Sequence, residues 1–209
     1  EKERRVTAYH EAGHALVGHE LPGTDPVRKV SIISRGSAAG YTLKLPEKDK
    51  YMRPRSEYVA ELAVMLAGYE AEAAIFGQVT TGASNDLRKA THLAQRMIME
   101  FGMSEKLGPR TFGEREELIF LGRSIHEQRD FSEKVAEMID AEVSAFIELA
   151  RETARRIIAT KRERLEAIVN VLIKKETIER DEFEALFAPP AAAGGTPVKA
   201  PPATRPKPA

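Results

Sequence analysis

The chain has 209 residues, 42% of them hydrophobic and 31% charged, with 32 Lys and Arg balanced by 32 Asp and Glu and with no Cys. That length bounds one compact domain plus a tail, and the even charge without a concentrated basic face excludes a nucleic-acid-binding surface. The lack of Cys excludes a disulfide framework and thiolate metal ligands, and no run approaches the roughly 18 apolar residues of a membrane span or the pattern of a signal peptide, so this stretch is expected to be soluble.

The first predicted element is a helix over about residues 4–18, where Val6, Tyr9, Ala15, Leu16 and Val17 are apolar and Gly13 and Ala15 let another element approach closely. It contains His10-Glu11-Ala12-Gly13-His14. Positions four apart share a helix face, so two imidazoles at this spacing can grip one ion, and Glu11 can reach a water held by that ion. This H-E-x-x-H spacing is the zinc-peptidase pattern, and it makes His10 and His14 candidate zinc ligands and Glu11 the candidate general base. The plainer reading is two surface histidines on an amphipathic helix. Gly18 and His19 each miss the longer three-histidine pattern by one residue, so His19 is expected only to complement the helix dipole.

Leu21-Pro22-Gly23 breaks the helix, and Val27 to Ile33 reads as a strand with Val30 and Ile32 on one face. After a Gly-containing turn over 34–40, Tyr41, Leu43 and Leu45 alternate as in a second strand. An exposed strand here could hold a substrate backbone beside the ion, or the hairpin could merely cover the core. Pro54 introduces a helix over about 56–76 with Val59, Leu62, Leu66, Tyr69 and Ala73 as its core stripe. A further helix over about 85–101 carries Leu87, Leu93, Ala94, Met97, Ile98 and Phe101, with Ser84 or Asn85 as its N-cap.

A catalytic zinc takes a third protein ligand and keeps one position open. His92 and His126 are isolated, which leaves two carboxylates. Glu72 sits late in the 56–76 helix, and Asp86 falls in the first turn of the next. A downstream helical Glu and a short, rigidly aimed Asp suit the role equally, so spacing alone does not choose.

Residues 102–129 read as a loop rich in Gly and charge, with Phe120-Leu121 as its anchor. Val135, Ile139, Val143, Phe146, Ile147, Ala150, Ala154 and Ile157 trace a long helix ending near 159. Leu165, Ile168, Val169, Leu172 and Ile173 mark another, and Phe183, Leu186 and Phe187 a short last one. Residues 188–209 hold 7 of the 12 prolines and carry +3, leaving −3 on the remainder. They cannot bury enough apolar surface to order, and a disordered tail after a domain over 1–187 is expected.

Several segments taken together resemble the FtsH-type ATP-dependent zinc metalloproteases. They are His10 to His14, Gly77-Gln78-Val79-Thr80-Thr81-Gly82-Ala83-Ser84-Asn85-Asp86-Leu87, Met99-Glu100-Phe101-Gly102-Met103-Ser104 and Phe120-Leu121-Gly122-Arg123. The resemblance spans about residues 1–187. It implies a mainly α, zincin-like domain with a small β-hairpin or sheet near the H-E-x-x-H helix. It further implies one Zn2+ per chain with Asp86 as third ligand beside His10 and His14, and Glu72 on a supporting helix. Tyr69 departs from an Arg carried by many members. The family joins such a domain to an upstream AAA ATPase domain and membrane helices, with assembly as a homo-oligomer, a hexamer, and with unfolded polypeptides as substrates. The full-length protein is then expected to be membrane-anchored with this domain cytoplasmic. No G-x-x-x-x-G-K-[ST] loop occurs here, so ATP is expected to be used outside this chain. A non-peptidase zinc hydrolase and a helical oligomerisation module with an inactive motif are the other functional classes.

Overall fold

The computed structural model describes residues 1–34, 39–45, 52–113 and 131–188. In chain order these form α1 (Lys2–Glu20), β1 (Val27–Ser31), β2 (Tyr41–Lys44), α2 (Arg55–Phe76), a 3-10 turn (Thr81–Ala83), α3 (Ser84–Met99), α4 (Glu133–Thr160), α5 (Arg162–Lys175), β3 (Thr177–Glu179) and α6 (Arg180–Ala185). The fold is mainly α with one small antiparallel sheet, as expected.

α2 is the central element, packed on α1 along one side and α4 along the other. This explains why its buried set is wider than the one stripe predicted. Leu62 and Leu66 are in the core, and so are Ala60, Ala63, Ala67, Gly68 and Ala71, while Val59, Tyr69 and Ala73 are only partly covered. Small residues let the two helices approach until backbone touches backbone. A Cβ on Gly13 of α1 would lie 2.7 Å from the Ala67 carbonyl oxygen and 2.8 Å from Ala71 Cβ. The stripe of α4 packs on α2 and that of α5 on α1, with Ile139, Phe146, Ala150, Ala154, Ile157, Leu165, Ile168, Val169 and Leu172 buried. Each full-sized aliphatic among them contributes about 1.5–3 kcal/mol of burial. Ile173 is the exception, at 37% exposed.

The structure corrects one detail of the sequence reading and adds two. First, α3 begins at Ser84 directly from the 3-10 turn, with Ala83 and not Ser84 or Asn85 preceding it. The capping is upstream, where the Thr80 hydroxyl accepts from the Gly82 amide. Second, the sheet has a third strand. β3 pairs with β1 in the order β2-β1-β3, with Ile178 opposite Val30 and both fully buried. It follows α5 through Glu176, whose φ of +62° is the left-handed helix-ending conformation. The Glu176 carbonyl also accepts from the Ile32 amide, which ties the end of α5 to β1.

Third, the strand read at Tyr41, Leu43 and Leu45 gains an orientation, since β2 turns its leucines outward. Leu43 and Leu45 are 40% and 48% exposed, while Thr42 and Lys44 turn toward the helices. The Lys44 stem runs beside Gly18 of α1, and burial pushes its ammonium pKa down against the pull of Glu61 and Asp25.

Of the predicted 102–129 loop, residues 102–113 fold back on the core. The Phe112 amide donates to the Met99 carbonyl, and the Ser104 hydroxyl donates to buried Glu142 of α4 at 2.7 Å. Phe120-Leu121, His126 and the predicted tail beyond Ala188 lie outside the described residues.

Candidate metal centre

α1 and the start of α3 meet at one point. The Nε2 atoms of His10 and His14 lie 3.1 Å apart, and Asp86 Oδ2 lies 3.2 Å from the first and 3.3 Å from the second. Two nitrogens each about 2.0–2.1 Å from a tetrahedral zinc ion lie roughly 3.3 Å apart, so the spacing of this donor set fits such an ion. The donor types fit as well, since imidazole and carboxylate are ordinary zinc ligands. Among the described residues, His10, His14 and Asp86 are the group of metal-ligating side chains that converges in this way.

Each histidine is oriented through its other nitrogen. His14 Nδ1–H donates to the Val64 carbonyl of α2 at 2.7 Å, and His10 Nδ1–H donates to Glu72 Oε1 at 2.7 Å. These bonds fix the tautomers and leave both Nε2 atoms facing Asp86. The second Glu72 oxygen accepts the Thr80 amide at 2.6 Å. Glu72 therefore grips a histidine of α1 with one oxygen and the segment leading to Asp86 with the other. Both of its oxygens are engaged away from the point where the Nε2 atoms meet.

The electrostatics follow from crowding. Burial alone would lower the His10 pKa, but the hydrogen bonds to Asp86 and Glu72 outweigh it and raise the imidazole to about 9. Burial would raise Asp86, yet His10 and His14 hold its carboxyl far below the usual carboxylate range. Glu72 is also lowered, its burial outweighed by the bonds from His10 and Thr80. Only an unprotonated imidazole ligates, so a cation held here would compete with a proton for His10.

Glu11 meets β2 through its carboxylate. It is 6% exposed, and its Oε2 accepts from the Thr42 hydroxyl at 2.7 Å. Gly68 of α2 supplies the floor, where a Cβ would lie 2.5 Å from His10 Cε1 and 2.6 Å from Nδ1. Neither Gly68 nor Thr42 was singled out from the sequence. Gly68 stands at helical spacing within an Ala-rich helix, and a Gly there was the one available signal.

The other histidines are elsewhere. His19 stacks on Phe187 with ring centroids 3.7 Å apart and lies 3.5 Å from Glu184, while His92 is exposed on α3. Tyr69 lies under the guanidinium of Arg151, which also bonds buried Glu70 at 2.7 Å, so it serves the α2–α4 contact.

Residues 1–186 match the sequence profile of peptidase family M41. The chain is 52% identical over 190 residues to ATP-dependent zinc metalloprotease FtsH 1 of Thermomicrobium roseum, an alignment covering 91% of this chain and 29% of that protein. It is 52% identical over 185 residues to ATP-dependent zinc metalloprotease FtsH 1 of Conexibacter woesei, covering 88% and 28%. It is 47% identical over 188 residues to ATP-dependent zinc metalloprotease FtsH of Thermotoga maritima, covering 90% and 31%. The chain therefore spans about three tenths of the length of these curated relatives. A profile match over nearly all of the described fold, with the H-E-x-x-H helix inside it, places the chain in peptidase family M41.

Proposed function

We propose that this chain is a zinc endopeptidase domain in which His10, His14 and Asp86 hold one zinc ion and Glu11 is the general base. The observation that supports this most directly is the convergence of the three ligand atoms within 4.8 Å, two from one helix turn and one from a helix start 72 residues or more away. When bound there, zinc supplies Lewis acidity, both to a water and to a substrate carbonyl. Glu11 accepts the proton of the attacking water and passes it to the departing amine nitrogen as the peptide C–N bond breaks. Glu72 and the Val64 carbonyl keep the two imidazoles aimed throughout. Membership in a peptidase family favours a polypeptide over a small-molecule substrate.

The edge strand β2 suits substrate holding. It pairs with β1 on one side, lies against the catalytic helix through Thr42, and turns Leu43 outward. An extended chain added to it would be gripped by main-chain bonds without regard to sequence. A proline placed at a solvent-facing amide of β2 is expected to raise KM for peptides several-fold while leaving zinc content unchanged; unaltered KM would remove the strand from the substrate site.

The relatives are named ATP-dependent, and this chain carries no phosphate-binding loop. In our reading an AAA ATPase domain upstream in the same protein feeds unfolded polypeptide to this domain. The full protein is membrane-anchored and hexameric with this domain on the cytoplasmic side, and it acts in protein quality control. Among the described residues no helix is long and apolar enough to cross a membrane.

The test is zinc content together with cleavage of casein. One zinc per chain is expected, with casein cut without ATP, a stably folded protein left intact, and activity abolished by a chelator and restored by zinc. Cleavage that survives complete metal removal would defeat the proposal.

A further inference from the structure

The two imidazoles of the centre are oriented from α2, whereas the Glu11 carboxylate is held from the sheet. Its contacts come from the chain segment that enters β2. The Thr42 hydroxyl lies 2.7 Å from Glu11 Oε2, and among the described residues no other donor reaches that carboxylate. The same hydroxyl lies 3.3 Å from the Glu11 main-chain carbonyl, so Thr42 touches both ends of the residue. Two positions earlier, Gly40 lies against the Glu11 stem, where a Cβ would sit 2.9 Å from Glu11 Cγ, 2.9 Å from Thr7 Cγ2 and 2.8 Å from the Ser31 carbonyl oxygen. The Glu11 methylenes are thus lodged between α1 and the strand entry, with the hydroxyl at the tip.

We propose that Thr42 is a positioning residue for the general base, fixing the Glu11 carboxylate from the strand that borders the substrate cleft. A glutamate has three side-chain torsions, and its helix sets only where the first begins. A base working on a water must be held within hydrogen-bond reach of it, and a misplacement of about 1 Å can lower a rate about 100-fold. Thr42 supplies the missing constraint and is itself held firmly, since it pairs with fully buried Val30 in the middle strand of the sheet. The hydroxyl spends its proton on Oε2 and leaves the other oxygen to the water. Because Thr42 belongs to the edge strand, a peptide docking on β2 also fixes the residue that aims the base. This gives the apolar-outward, Thr-inward face of β2 a mechanistic reason.

The proposal rests on Glu11 being the base, and the experiment separates the two ideas. Thr42→Val, Thr42→Ser and Glu11→Gln are compared on the intact chain with a fluorogenic peptide, together with zinc content and melting temperature. Thr42→Val keeps the side-chain volume but removes the donor, and it is expected to lower kcat about 10- to 100-fold with KM within about twofold and zinc retained. Thr42→Ser, which keeps the hydroxyl, is expected to recover kcat to within about threefold. Wild-type kcat in Thr42→Val, with Glu11→Gln inactive, would overturn the positioning role and leave the base assignment standing. Equal losses in the valine and serine variants would likewise overturn it, by showing a role in strand packing alone. Normal turnover by Glu11→Gln would instead remove the base assignment on which the proposal stands.

Discussion

Glu11→Gln is expected to bind one zinc per chain and to lose about 100- to 10,000-fold in kcat, the range a positioned general base contributes. The amide has the same shape and keeps an oxygen for the Thr42 hydroxyl, so neither α1 nor β2 has reason to move. It lacks the basic oxygen that takes the water's proton. Metal content and turnover are thereby uncoupled. His10→Ala and His14→Ala should lose both together, because each removes a nitrogen that faces Asp86. Zinc analysis beside a peptide-cleavage assay makes the distinction, and a Glu11→Gln chain that cleaves at the normal rate would refute the assignment.

Gly68→Ala should be the most damaging single methyl group that can be added near the centre. On helix propensity alone the change is favourable by about 1 kcal/mol. Sterics reverse the sign, since the new Cβ would lie 2.5 Å from His10 Cε1, far inside van der Waals contact. The ring cannot yield freely. Its Nδ1 is held by Glu72, and that carboxylate is held in turn by the Thr80 amide. Displacing His10 misaims a ligand, as loss of an orienting partner does, and a drop of about 10- to 100-fold in zinc affinity is expected. Overpacking should also cost about 1–3 kcal/mol of stability. Competitive zinc titration and thermal melting read both effects. Unchanged affinity would mean that the His10–α2 contact is looser than these distances imply.

The sequence disclosed what depends on local spacing. Helical periodicity located the stripes of α2, α4 and α5, and the four-residue spacing of His10 and His14 put both imidazoles on one face. What it left open depends on tertiary placement. Glu72 and Asp86 have the same chemistry, and both converge on His10. They differ in what they meet, Nδ1 of His10 for Glu72 and Nε2 of both His10 and His14 for Asp86, and no spacing rule encodes that. The resemblance chose Asp86, and the geometry favours the same residue.

β2 was only half legible because alternation at Tyr41, Leu43 and Leu45 marks an apolar face without saying which way it turns. Thr42 faces inward because its partner is a carboxylate on α1, 31 residues earlier, and Lys44 follows it with a buried stem. β3 escaped notice because Ile178 is a lone apolar residue between Thr177 and Glu179, too short a run to read as a strand before the left-handed Glu176 turns it back onto β1. Gly68 gave only a faint signal for a related reason. Its value lies in what it leaves empty.

The central claim, one cation held by His10, His14 and Asp86 with Glu72 as an orienting neighbour, is tested most directly by zinc per chain in Asp86→Ala against Glu72→Ala. The account predicts a sharp fall in stoichiometry for Asp86→Ala and close to one zinc per chain, at reduced affinity, for Glu72→Ala. Full zinc occupancy in Asp86→Ala with an empty site in Glu72→Ala would contradict it and make Glu72 the ligand.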